Sequence, residues 1–195
     1  MKDFRNSFSK DNKDDPETGS WTDTEAEITG LVNKAAKGNF EAFGQLYRLF
    51  VKQIYRYVFY QVGDKMTAED ITADVFFKAL DHIDSCEGKE ATFKAWLYRI
   101  AHNRVIDYFR SRKRHLSLES EIYHLKQDPD KGMERRELLD IVSKLPANQR
   151  QIVILKFIAG LNNREIGKVL GKNEGAVRIM QMRALLSLRK KLGGE

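Results

Sequence analysis

Two helix starts separated by a single glycine turn, near the end of the chain, constrain its fold more than any other feature. Asn162-Asn163-Arg164-Glu165 has the form of a capped start: the Asn162 side chain can accept from free backbone N–H groups while Glu165 reaches back. Ile166, Val169 and Leu170 follow as a short apolar face, and Gly171 supplies the left-handed residue that stops a helix. After Lys172 a second cap, Asn173, opens a longer helix with Val177, Met180, Ala184 and Leu188 at helical spacing. Two helices joined by so short a glycine-containing turn form a helix-turn-helix, whose second helix is shaped for the DNA major groove.

The second helix is also basic. Residues 172–191 hold Lys172, Arg178, Arg183, Arg189, Lys190 and Lys191 against Glu174 alone, a net charge of +5. Phosphate neutralisation supplies the sequence-independent part of DNA affinity, so charge and motif point to the same ligand. A solvated face on an ordinary helical hairpin is the plainer explanation of the charge. Cap, turn, apolar face and charge together favour DNA.

Whole-chain properties agree. The net charge of +6 and pI near 9.3 fit a polyanionic partner, and 42% hydrophobic residues suffice for compact cores. Cys86 is the sole cysteine, which excludes an intrachain disulfide and a cysteine-based zinc cluster. No apolar run reaches the length of a membrane span and residues 1–21 lack a secretory apolar core, so the expectation is a cytoplasmic protein without membrane insertion. His82, His102, His115 and His124 show no metal-ligand spacing, and neither a phosphate-binding glycine loop nor a nucleophile motif occurs. The expectation is a non-enzyme without metal or cofactor.

The expected fold is all-α: two small helical domains joined by a flexible linker, the C-terminal one a helix-turn-helix. Residues 1–24 are polar, aperiodic and acidic, and read as a disordered tail; residues 1–27 carry a net −4, leaving about +10 for the rest. Residues 25–114 form a helical domain, 115–133 a linker containing Pro129 and Gly132, and 134–195 the final domain. Within the first domain the spacing predicts helices over residues 24–36, from Asn39 to Gly63, from a Thr67/Asp70 capping box, and over 93–112 behind Thr92, with 84–91 as a loop.

That fourth helix is the second informative element. On a helical wheel Phe93, Trp96, Leu97, Ile100, Ala101 and Tyr108 share an inward sector, with Arg104 and Asp107 near it as a structural pair. The opposite sector, expected to be exposed, holds Tyr98, Arg99, His102, Asn103, Ile106, Phe109 and Arg110. Residues 99–114 carry a net +5. Interleaved cations and rings suit unpaired nucleic acid, where bases stack and cations track phosphates. An amphipathic helix with a solvated basic back fits the composition equally well.

Three segments carry a family resemblance: AEDITADVFFKAL (68–80), WLYRIAHNRVIDYFRSRKR (96–114) and LPANQRQIVILKFIAGLNNREIGKVLG (145–171). Together they resemble the sigma-70 family of bacterial transcription initiation factors. With only two helical domains and a short linker, the chain is similar to the extracytoplasmic-function group. The likeness spans about residues 25–192.

The resemblance implies a sigma factor that binds core RNA polymerase and directs promoter-specific initiation. It would read and open the −10 element and bind the −35 element. By this likeness Asp70, Asp74, Phe76 and Phe77 would dock on a coiled coil of the largest polymerase subunit. As sequence, Asp70 and Asp74 are an i, i+4 like-charge pair, which costs helix stability and suits an external cation. By the likeness the helix over 96–114 captures unpaired non-template bases: Asn103 matches the family's polar position, Arg99, Arg110, Arg112, Lys113 and Arg114 would hold phosphates, and His102 reads as an exposed polar group on the same face. It gives the C-terminal domain the −35 element and the polymerase β flap, with Arg178 and Arg183 at basic positions of the recognition helix; Asn163, Arg164, Ile179 and Met182 are further DNA-binding candidates of this chain's own helix-turn-helix. The family often uses an anti-sigma factor, which joins core polymerase and promoter DNA among the candidate partners.

Three departures from the family pattern stand out. Ile179-Met180 follows Arg178 where Ser-Arg is common, and Met182 stands where a histidine is frequent, while Lys172 replaces an apolar turn residue. Outward Ile179 and Met182 could touch thymine methyls but cannot read guanine. A stand-alone helix-turn-helix regulator is the rival reading; it leaves residues 68–80 and 96–114 without a role.

Overall fold

The computed structural model describes residues 25–86, 92–115, 141–142 and 144–191. The tail, residues 87–91 of the loop and most of the linker and its flanks lie outside the described residues. So do the side chains of Lys113 and Arg114. Every described element is helical: α1 (Glu25–Ala36), α2 (Phe40–Val62), α3 (Lys65–Asp81), a 3-10 turn (Ile83–Cys86), α4 (Phe93–His115), α5 (Ala147–Val153), a π-helical turn (Ile154–Ile158), α6 (Asn163–Leu170) and α7 (Glu174–Lys191).

Local chemistry sets the boundaries. Asn39 Oδ1 accepts from the Ala42 N–H at 2.9 Å, and Gly63, at φ 74°, closes α2 by donating to Phe59. The Thr67/Asp70 capping box does not form. Helix α3 starts three residues earlier, capped by Asp64, whose carboxylate accepts from both the Thr67 N–H and its hydroxyl. An aspartate in extended conformation just before the helix satisfies the orphan donors, which leaves Asp70 in the body of the helix.

Helix α2 is the axis of the first domain. Leu46, Phe50, Ile54 and Val58 recur at i, i+4, i+8 and i+12 and are all buried. Each such side chain contributes about 1.5–3 kcal/mol relative to exposure. From Tyr57 to Val62 every residue is buried, because α1, α3, α4 and the π-helical turn all pack against α2. Aromatic rings join the layers edge to face: Tyr47 on Phe76 at 4.8 Å, Phe50 on Phe93 at 5.4 Å, Tyr57 on Tyr98 at 5.3 Å.

The C-terminal helices do not stand apart from the first domain. Helix α6 packs on α4 and the π-helical turn packs on α2, so one apolar core runs from Val32 to Leu188. No described helix is long and apolar enough to cross a membrane.

Candidate nucleic-acid interface

Helix α4 begins at Thr92, whose hydroxyl oxygen accepts from the Ala95 N–H at 3.2 Å. Leu97, Ala101 and Val105, spaced four apart, are buried and hold the helix to its domain. Arg99, Asn103 and Arg110 are exposed on its outer side, with Ile106 and Phe109 half-buried beside them. Arg110 lies 3.9 Å from Asp107, and Arg112 donates to the Tyr108 hydroxyl at 3.0 Å.

His102 and Tyr98 are not exposed as the helical wheel suggests. Tyr98 is 1% exposed, packed edge to face on Tyr57 of α2, and His102 is 8% exposed beside Gln151 of α5. A helical wheel sorts residues about one helix and cannot see a second domain. Gln151 of α5 brings its amide nitrogen onto His102 Nδ1. Burial lowers the His102 pKa from its ordinary value. Burial also raises the Tyr57 phenol, partly offset by the Gln151 and Gln61 side chains.

The acidic edge of α3 divides. Asp70 is exposed, whereas half-buried Asp74 forms an ion pair with Arg104 of α4. Asp107, the expected partner, stands 3.8 Å from Arg104. Phe77 is 72% exposed, and Phe76, 4% exposed, is a core residue rather than a contact for an external partner. An i, i+1 pair on a helix cannot face one partner, and here the second phenylalanine is the outward one.

The helix-turn-helix forms as its caps require. The Glu165 N–H donates to Asn162 Oδ1 at 2.9 Å, and Asn162 N–H donates to Glu165 Oε2 at 2.8 Å. Gly171 sits at φ 63°. Asn173 Oδ1 accepts from the Ala176 N–H at 2.8 Å and starts α7. Val177, Ala184 and Leu188 are buried; Arg178, Ile179, Met182 and Arg183 are exposed. Arg178 is paired with Glu174 at 2.7 Å, and Asn163 accepts from Gln181 of α7 at 2.8 Å. Asn163 therefore braces the two helices, while Arg164 points to solvent.

Several residues of consequence carried no sequence signal. Thr92 Oγ1 donates to Glu165 Oε1 at 2.8 Å across 73 residues of chain. The Lys94 amine has its pKa lowered by burial, opposed by the Glu165 carboxylate. Gly167 has a signal in hindsight: a glycine inside a short helix costs about 1 kcal/mol and needs a reason. A Cβ there would stand 2.6 Å from the Lys172 carbonyl oxygen. Among the described residues no three His, Cys, Asp or Glu gather as a metal site, and burial pushes the Cys86 thiol up to about 11.

An all-α chain with a cationic helix face in one domain and a helix-turn-helix in the other belongs, as a class, to the two-domain DNA-binding proteins. Residues 46–115 match the sigma-70 region 2 family and residues 135–188 the sigma-70 region 4 family. The chain is 36% identical over 175 residues to the ECF RNA polymerase sigma factor BldN of Streptomyces coelicolor, covering 86% of this chain and 66% of BldN. It is 30% identical over 181 residues to SigW of Bacillus subtilis, another ECF RNA polymerase sigma factor, covering 85% of this chain and 96% of SigW. Among solved structures, CnrH in complex with the cytosolic domain of CnrY is similar with a TM-score of 0.65 and 26% identity, over 84% of this chain and 95% of CnrH. RpoE of Bartonella quintana shares the fold at a TM-score of 0.66 and 22% identity, over 77% of this chain and 96% of RpoE. The chain belongs to the extracytoplasmic-function sigma factors of the sigma-70 family. The region 2 match covers the segments that a stand-alone regulator leaves unused.

Proposed function

We propose that this chain directs core RNA polymerase to promoters by opening and reading the −10 element with α4 and binding the −35 element with α7. The observation that carries the −10 part is the exposed row Arg99, Asn103 and Arg110 on a helix rigidly anchored by Leu97, Ala101 and Val105. Unstacking a base costs a few kcal/mol, and a cationic face with rings offsets this by holding the unpaired strand. Arg112, Lys113 and Arg114 extend the cationic stretch for phosphates.

For −35 binding, α7 presents Arg178, Ile179, Met182 and Arg183 outward. Docking on the polymerase coiled coil is assigned to Asp70 and Phe77, with the C-terminal domain reaching the β flap. CnrH was solved bound to a domain of CnrY, which supports counting a protein regulator, of the anti-sigma kind, among the partners.

The test is in vitro transcription with bacterial core polymerase on a fragmented genomic library. Specific starts sharing one −10 and one −35 sequence are expected. Open-complex yield with Asn103→Ala, followed by permanganate footprinting, checks α4: the loss should be larger on duplex than on a pre-melted template. No specific start with any core enzyme would sink the reading.

A further inference from the structure

A groove of about 560 Å³ runs between α1 and α2, away from both DNA-facing helices. Ile28, Leu31 and Leu49 line it as half-buried apolar groups at the edge of the core. Exposed Lys34 and Arg48 line it as cations, and Glu27 is its one lining carboxylate. Arg48 also meets Glu41 at 3.0 Å. Gly30, in the interior of α1, lines the groove as well. A glycine there weakens a helix relative to alanine. Packing among the described residues gives no reason for it, because a Cβ at Gly30 would meet nothing within 4 Å. What a bare helix backbone beside apolar side chains does offer is close approach to a flat ring.

The sequence just before α1 supplies such a ring. Trp21 is the one large apolar residue between Phe8 and Ile28. It stands four residues before Glu25, a reach of up to about 14 Å, while Ile28, Gly30 and Leu31 lie only about 5–9 Å along the axis of α1. Gly19 and Ser20 on its other side suit a change of direction. Residues 14–23 hold Asp14, Asp15, Glu17 and Asp23 and no cation, opposite in sign to Lys34 and Arg48. We propose that this groove is the docking site of the chain's own N-terminal segment: Trp21 inserts beside Gly30 among Ile28, Leu31 and Leu49. The segment then runs back along α1 with Asp14, Asp15 and Glu17 towards Lys34 and Arg48. An indole buries 150–250 Å² at low entropic cost, and a tether this short holds it at an effective concentration on the order of millimolar. The first domain then begins near Asp14 rather than at Glu25, and its groove is shut to other apolar partners. None of this depends on the promoter reading.

The experiment uses the full chain and the emission of Trp21, taken as the difference between the parent and Trp21→Phe so that Trp96 cancels. In the native protein that emission should lie to the blue of its position in urea, with weaker quenching by acrylamide. Gly30→Gln fills the groove with a side chain that favours helix, so the helical CD signal should stay intact while Trp21 moves to its urea-like emission and quenching. Trp21→Ala should lower the thermal midpoint of the parent and leave that of Gly30→Gln unchanged. Gly44→Ala, outside the groove lining and with only the end of the Arg48 side chain at 3.8 Å, is the control and should leave Trp21 in place. Native emission and quenching equal to those in urea would overturn the proposal. So would a protected Trp21 that Gly30→Gln fails to release, since the ring would then pack elsewhere. Protection that fades on dilution would give the groove to a second copy's Trp21 instead. A Lys34→Glu/Arg48→Glu variant with unchanged quenching would remove the charge pairing from the proposal.

Discussion

Arg104 reaches from α4 to Asp74 on α3, so one of the two carboxylates expected to greet an external cation already has an internal one. Asp70, one turn earlier on α3, has its side chain in solvent. The two aspartates therefore do different work, although they look equivalent as an i, i+4 pair.

Charge reversal separates them. Asp74→Arg should destabilise the first domain by about 1–2 kcal/mol, a partly screened pair replaced by two facing cations. Asp70→Arg should change stability by less than about 0.5 kcal/mol, as surface substitutions do, while weakening association with core polymerase. Urea unfolding and co-elution with core enzyme measure the two effects. If Asp70→Arg co-elutes like the parent, docking does not use this edge.

The turn of the helix-turn-helix depends on Gly167. Gly167→Ala puts a methyl 2.6 Å from the backbone carbonyl of Lys172, and a carbonyl in a tight turn cannot swing aside like a side-chain end. Overpacking of this kind costs about 1–3 kcal/mol. Thermal unfolding should show the loss, with −35 binding falling alongside it. Gly175→Ala is the control: its nearest neighbour, Asn173 Oδ1, would be at an ordinary 3.5 Å. In the first turn of α7, alanine should be neutral or stabilising by up to about 1 kcal/mol.

Much of this domain was legible because its signals are local. Asn162, Gly171 and Asn173 each act within four residues, and each cap forms as the sequence requires. The α3 cap was misassigned for a local reason too: Asp64 and Thr67 both offer capping oxygens, and the structure shows them bonded to each other. What was illegible is long-range. No periodicity of α4 announces that Tyr98 packs on Tyr57 or that His102 meets Gln151, 49 positions away. The π-helical turn that packs on α2 likewise has an ordinary apolar sequence, ILKFI. Phe76 and Phe77 show the limit of a motif: it marks the pair and leaves the outward member to be found by packing.

His102 makes the stability of the fold pH-dependent. Its pKa is lowered by burial, so the folded chain binds fewer protons than the unfolded one at mildly acid pH. The contribution to stability is complete above the ordinary imidazole value of 6.5. It is lost as pH falls from there through the lowered value. A protonated ring would also set an N–H against the amide nitrogen of Gln151. The midpoint of thermal unfolding should therefore fall between about pH 7.5 and about pH 5.5. His102→Gln should flatten that profile. A profile unchanged by the substitution would move the titration to another group.

The recognition helix offers the sharpest test of base reading. Arg178 is held by Glu174 at 2.7 Å and must leave it to meet DNA, whereas Arg183 lies further along the outer face. Arg183→Ala should act as a lost phosphate contact, weakening all −35 variants alike and lowering the salt slope by about one. Arg178→Ala, nearer the start of α7 where base edges are met, should relax preference at one position and cost roughly 1–3 kcal/mol on the best site. Ile179 is 50% exposed beside it, and its only means of reading a base is contact with a thymine methyl. Replacing that thymine by uracil removes the methyl and leaves every hydrogen-bonding group in place. The parent should lose affinity on uracil, and Ile179→Ala should lose almost none. Equal losses in both proteins would show that Ile179 does not touch the methyl, leaving the −35 preference to the arginines.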